Sequence, residues 1–218
     1  MEAQFWQQRW ALNELGFQLD AAHPLLAAQL AAMPAQEKVF VPLCGKSPDM
    51  HLLASRYQVI GAELSDIACR DFFAEANLPV VTKEQGNHQL WQADVYQLWQ
   101  GDFFTLPAVA VAGCQLIYDR AALIALPPEM RVQYARQLRA LFPAASLLLV
   151  SLEYPEGEKQ GPPFAVFPDE IAALFPGAVI EVAGIRNLTG QGFARRKFQT
   201  SQLVEKSYWI RWSQAVYV

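Results

Sequence analysis

Short apolar runs closed by turn residues alternate along this chain with stretches whose apolar residues recur at helical spacing. The runs are Val39-Phe40-Val41-Pro42-Leu43 and residues 58–64, 109–117 and 146–152. Runs of this kind predict strands buried on both faces, as in a parallel sheet. Between them, residues 47–57 align Met50, Leu53 and Ala54 on one stripe. Residues 65–76 open on an N-cap, Ser65 or Asp66, and turn Ile67, Phe72 and Phe73 inward. Residues 128–142 begin on Pro128 and carry Met130, Tyr134, Leu138 and Leu141 on one face, and 168–175 make a shorter helix. Such alternation predicts an α/β fold with a mostly parallel central sheet. Segments 178–182 and 206–212 have no helix between them. They predict an antiparallel edge hairpin with a loop around Gly190 and Gly192. Helices over 5–15 and 24–33 form an N-terminal extension, residues 1–35, ahead of the first strand.

Composition bounds the partners. The 218 residues are 53% hydrophobic and 17% charged, enough to bury one generous core, so the whole of 1–218 is expected to be one domain. A net charge of −4 leaves no basic surplus for nucleic acid or an anionic membrane. Cys44, Cys69 and Cys114 are widely spaced, which fits neither a disulfide framework nor a zinc site, and no metal ligand set appears. Met1-Glu2-Ala3-Gln4-Phe5-Trp6 has no signal-peptide character, and no run reaches membrane-spanning length. The expectation is a cytoplasmic monomer acting on a small molecule. His23, His51 and His88 fall in loop or helix-surface contexts and receive no role.

The turn Pro42-Leu43-Cys44-Gly45-Lys46-Ser47 follows the first strand, where open α/β sheets bind ligands. It ends like a P-loop, but Phe40 stands where the first glycine belongs. A dinucleotide turn needs more glycines than Gly45. A nucleoside cofactor without phosphates, such as S-adenosylmethionine, tolerates these side chains; an ordinary loop does too. Glu63 ends the second run, where a carboxylate can accept two ribose hydroxyls. Together they point to an adenosine-type ligand.

Phe40-Val41-Pro42-Leu43-Cys44-Gly45-Lys46-Ser47-Pro48-Asp49-Met50, with Gly61-Ala62-Glu63-Leu64-Ser65, resembles the cofactor core of the bacterial thiopurine S-methyltransferase family. Phe5-Trp6-Gln7-Gln8-Arg9-Trp10 with Gly16-Phe17, Gly101-Asp102-Phe103-Phe104, Ile117-Tyr118-Asp119-Arg120-Ala121-Ala122-Leu123 and Gly161-Pro162-Pro163-Phe164 agree in order. The resemblance implies a Rossmann-like class I methyltransferase that moves a methyl group from S-adenosylmethionine to the sulfur of an aromatic or heterocyclic thiol such as a thiopurine. It implies cofactor contacts at Trp10, Leu43, Glu63 and Arg120, adenine contacts at Asp102 and Phe103, and a substrate-stacking ring at Phe17. The family pattern is broken at Gln18 (usually histidine), Pro48 (leucine) and Gln100 (cysteine), and residues 186–218, with Arg195-Arg196-Lys197, match poorly.

Each residue also has a plainer role open to it. Trp10 can be a lid or a core ring, and Phe17 an aromatic wall or core. Asp102 can accept the adenine amino group or cap the turn after it. Arg120, oriented by Asp119, can hold the cofactor's carboxylate or favour a thiolate acceptor as the catalytic residue, or sit on the surface. One arginine of 195–197 can close over an anionic substrate, or the cluster can be a solvated loop. Transfer to selenium or tellurium species or other small thiols is a close alternative. A nicotinamide-dependent oxidoreductase and a non-catalytic nucleoside-binding module are the alternatives from other classes.

Overall fold

The computed structural model describes residues 3–16, 18–191 and 198–213. Phe17 and Arg195-Arg196-Lys197 therefore lie outside the described residues. The chain forms two compact units, residues 1–118 and 119–218.

The first unit contains α1 (Ala3–Ala11), α2 (Pro24–Gln29), β1 (Lys38–Val41), α3 (Asp49–Ala54), β2 (Gln58–Glu63), α4 (Asp66–Glu75), β3 (Val81–Gln85), β4 (His88–Ala93) and β5 (Tyr96–Gln100). It ends within β6 (Leu116–Arg120). The strand order is β3-β4-β5-β2-β1-β6. β1 runs parallel to both β2 and β6, and β2 parallel to β5. The order reverses at β1, so its carboxyl end opens on the crevice that such sheets use for ligands. Val39, Phe40, Val59, Leu98 and Ile117 are fully buried, as the continuous apolar runs require. Ser65 caps α4, accepting the Ala68 N–H at 3.3 Å, and Phe72 and Phe73 face inward.

Two readings of the pattern change here. The run 109–117 is not one strand: a 3-10 turn, Ala108–Val111, precedes β6, and Gly113 at φ +74° breaks the chain between them. The first unit also carries an antiparallel meander, β3-β4-β5, that the pattern does not announce. Val81-Thr82-Lys83-Glu84-Gln85 is mostly exposed and gives no apolar signal. Its register comes from the turn after it, where Gly86 takes φ +62° in the first position of a two-residue hairpin loop.

The second unit holds α5 (Pro128–Leu141), β7 (Ala145–Glu153), α6 (Pro168–Leu174), β8 (Val179–Asn187) and β9 (Val204–Trp212). β9 pairs antiparallel with β7 and with β8, which gives the expected hairpin with longer arms. Gly190 stands in its loop at φ +72°, and Gly192 lies outside the described residues. The buried stripe of α5 is Arg131, Tyr134, Ala135 and Leu138, rotated from the one the apolar residues suggest. Arg131 turns inward because its polar atoms are used: Nε donates to the Leu126 carbonyl at 2.8 Å and one terminal nitrogen donates to both Glu170 oxygens at 2.6 and 2.7 Å.

Candidate active site

The turn after β1 is built on two left-handed positions either side of Cys44, Leu43 at φ +45° and Gly45 at φ +55°. A left-handed leucine is unusual and costs backbone energy, which a surrounding network must offset. Glu63 supplies much of that network. Its carboxylate accepts the Gly45 N–H at 2.7 Å on one oxygen and the Ser65 N–H at 2.8 Å on the other. Its carbonyl accepts the Gly101 N–H at 2.8 Å, and the Gln100 side chain donates to the Leu64 carbonyl at 3.0 Å. The carboxyl ends of β1, β2 and β5 are thus tied together through one acidic residue. Glu63 is buried, and burial pushes its carboxyl pKa up while the Ser65, Gly45 and Leu64 N–H groups pull it down.

The N-terminal extension lies on the same turn. Trp10 is buried, and its ring edge is 3.2 Å from where a Cβ of residue 45 would stand, so only glycine fits beneath it without displacement. Gln18 donates from its side chain to the Lys46 carbonyl at 2.9 Å. Asp49, in the first turn of α3, is fully buried and accepts the His23 N–H at 2.6 Å and the Tyr118 hydroxyl at 2.9 Å.

After β5, Asp102 caps the following turn, accepting the Phe104 N–H at 2.9 Å on one oxygen. The cap is therefore real, and it engages one of the two carboxylate oxygens. The side chain is exposed, so its remaining acceptor capacity faces solvent or a ligand. The Phe103 ring is core, 3% exposed and stacked on Phe40 with centroids 6.4 Å apart. A ligand at this segment meets the main chain of Phe103 rather than its ring.

These groups suit S-adenosylmethionine. Two carboxylates, Glu63 and Asp102, stand at successive strand ends and offer acceptors to hydroxyl and amino groups. The lysine of the first turn, Lys46, is held by Glu75. Such a set of acceptors matches the hydroxyl and amino groups of a nucleoside and repels a pyrophosphate. Among the described residues no cluster of three His, Cys, Asp or Glu side chains could hold a metal ion.

Comparison with known proteins agrees. The model of the thiopurine S-methyltransferase family matches residues 1–212. The chain belongs to this family. It is similar to the thiopurine S-methyltransferase of Pseudomonas fluorescens strain Pf0-1, 42% identical over 216 residues, covering 97% of this chain and 99% of the relative. It is 49% identical over 181 residues to that of Vibrio vulnificus strain YJ016, covering 81% of this chain and 82% of the relative. Among solved structures it resembles a SAM-dependent methyltransferase from Anabaena variabilis, with TM-score 0.62, 16% identity and coverage of 96% and 95%. It also resembles the 1,6-didemethyltoxoflavin-N1-methyltransferase of Burkholderia thailandensis, with TM-score 0.62, 13% identity and coverage of 97% and 87%. At such identities these two structures speak for the fold alone, an α/β class I methyltransferase. As a thiopurine S-methyltransferase family member the chain is an S-adenosylmethionine-dependent enzyme.

Within the family signature that ends β6, the structure separates two neighbours that the sequence reading joined. Arg120 closes the strand half-exposed, followed by Ala121 at φ +71°. Asp119 does not orient it. Adjacent strand residues face opposite ways, and the buried Asp119 carboxylate accepts the Tyr134 hydroxyl at 2.6 Å and the Ala122 and Leu123 N–H groups at 3.1 and 3.2 Å. Burial pushes its pKa up to about 6 despite those donors. Between an unfolded value of about 4 and that folded value, the folded chain holds more protons, so stability falls as pH rises through this window. Asp119→Asn is expected to flatten that decline, measured as thermal midpoint from pH 4 to 7. A variant with the same slope as the parent would show that Asp119 does not titrate there.

His51 lies on the helix surface as its context suggests, whereas His23 and His88 are buried. His23 is buried and caps α2, its Nδ1 accepting the Leu25 N–H at 3.2 Å. His88 is buried at the start of β4. His51 is exposed, stacked flat on Phe72 with its Nδ1 2.9 Å from the Tyr96 hydroxyl. Gly61 is a further residue the sequence did not single out. A Cβ there would stand 2.5 Å from Leu98 Cδ2 and 2.7 Å from Cys44 Sγ, directly beneath the first turn. Gly61→Ala is expected to destabilise the fold by about 1–3 kcal/mol through overpacking, read by denaturant unfolding. A neutral effect would mean that Leu98 and Cys44 repack freely.

Proposed function

We propose that this chain methylates the sulfur of aromatic or heterocyclic thiols, thiopurines among them, as one functional domain, a cytoplasmic monomer acting on small molecules and not on nucleic acid. The observation that carries the reading is the Glu63 network, which joins the ends of β1, β2 and β5 and keeps carboxylate acceptors where a nucleoside would lie.

When bound, S-adenosylmethionine supplies a methyl group on a sulfonium, and the electron pair of the broken bond stays on that sulfur as the thiolate takes the methyl carbon. The chain's own part is binding and alignment. Glu63 accepts the ribose hydroxyls. Asp102 accepts the adenine amino group, with the main chain of Phe103 beside it. Leu43 shapes the turn under the cofactor, and Trp10 in the N-terminal extension covers it. Arg120 carries the charge that holds the cofactor's carboxylate or the acceptor's thiolate, and Phe17 stacks on a flat acceptor. A heterocyclic thiol is acidic enough to ionise near neutral pH with only an arginine nearby, so no general base is required.

The test is an acceptor panel: 6-mercaptopurine, thiophenol, an aliphatic thiol, selenite and tellurite, each with S-adenosylmethionine and purified protein. Preferred turnover of the heterocyclic and aromatic thiols supports the reading. Turnover confined to selenite or tellurite would move the acceptor to inorganic species.

A further inference from the structure

His88 has no part in the functions above, yet its ring lies against the segment that carries Asp102. It begins β4, where Gln89 pairs with Gln100 across to β5, so the next step of the ladder sets His88 beside Gly101. The contact is tight: a Cβ on Gly101 would stand 2.5 Å from the His88 ring carbon Cδ2 and 3.0 Å from Nε2. Gly101 takes φ +151° there and is pinned from the other side by its N–H bond to Glu63. His88 Nε2 lies 3.1 Å from the Asp102 carbonyl oxygen. A carbonyl only accepts, so this contact requires the proton on Nε2. The ring is 5% exposed and braced edge-on by Trp99 at 6.3 Å. One side chain thus fixes the backbone at two consecutive residues, immediately under the carboxylate assigned to the adenine.

We propose that His88 is a positioning residue for base recognition: its ring and its Nε2–H hold Gly101 and Asp102 so that the Asp102 carboxylate faces the adenine amino group. This rests on the assignment of Asp102 to adenine. Loss of His88 leaves the Asp102 carboxylate in place and removes its aim. Discrimination between bases falls, while the ribose contact at Glu63 is untouched.

The experiment compares dissociation constants of S-adenosylhomocysteine and S-inosylhomocysteine, which carries a carbonyl where adenine carries the amino group. The parent is expected to prefer the adenine ligand by roughly tenfold or more, because a carboxylate facing a carbonyl is left unpaired. His88→Leu and His88→Asn, neither able to reach the Asp102 carbonyl with a donor, are expected to shrink that ratio to about threefold or less. His88→Gln, whose amide reaches as far as Nε2, is expected to keep it. Equal weakening of both ligands, with the ratio intact, overturns the proposal and leaves His88 as packing. A ratio already near one in the parent, unchanged by Asp102→Ala, shows instead that the adenine assignment itself is wrong. Should the leucine and asparagine variants fail to fold, nitrogen NMR of the parent decides. An Nε2–H tautomer whose proton exchanges slowly supports the proposal, and an Nδ1–H tautomer overturns it.

Discussion

Replacing Glu63 by alanine is expected to weaken S-adenosylhomocysteine binding by about 1–3 kcal/mol, roughly five- to 150-fold. Two losses add. The ribose hydroxyls lose a charged acceptor, and the N–H groups of Gly45 and Ser65 lose the carboxylate they donate to. The first loss weakens the ligand directly. The second loosens the left-handed turn at Leu43 and Gly45, so the thermal midpoint falls as well. Glu63→Gln separates them. Its amide oxygen can accept one N–H, but its NH2 points donors at the other, so it restores only part of the network. Calorimetric titration is the measurement. Affinity equal to the parent in Glu63→Ala would remove the ribose assignment.

Arg120→Ala is expected to lower the methyl-transfer rate by roughly ten- to hundredfold, the size of a charge-assisted hydrogen bond of about 1.5–3 kcal/mol. Arg120 is half-exposed at the end of β6, so its removal leaves little apolar surface uncovered, and stability should move by only about 0.5 kcal/mol. The deficit should depend on the acceptor. If Arg120 favours the thiolate, a weakly acidic thiol loses more rate than 6-mercaptopurine does. If it holds the cofactor's carboxylate, all acceptors lose alike and cofactor affinity falls. Activity that drops only in step with thermal stability would make Arg120 structural.

In the first unit β1 and β2, and β6 as the end of a longer run, were legible, because buried parallel strands announce themselves as continuous apolar runs; β3, β4 and β5 were not read as strands. β4 and β5 bury Leu90, Tyr96, Leu98 and Trp99 but interleave them with glutamines, which breaks the continuous run. β3 is polar after the exposed Val81 and stands on its cross-strand partners and on the turn at Gly86. The rotated stripe of α5 was hidden for a related reason: Arg131 is buried because Glu170 and the Leu126 carbonyl receive it, and both partners are distant or main-chain groups. At the site, Glu63 could be found from its place at a strand end, whereas its bonds to Gly45, Ser65 and Gly101 are tertiary facts. His88 looked like a turn residue beside Gly86-Asn87. The alternation His88-Gln89-Leu90-Trp91 was the signal that set it on the same face as Leu90, turned away from solvent.

The most direct test of the account is transfer of label from methyl-labelled S-adenosylmethionine to 6-mercaptopurine by the purified protein, with the product resolved by mass spectrometry. Label is expected on sulfur, enzyme-dependent and suppressed by S-adenosylhomocysteine. A folded protein that binds S-adenosylhomocysteine yet places no label on the sulfur of any thiol would contradict it.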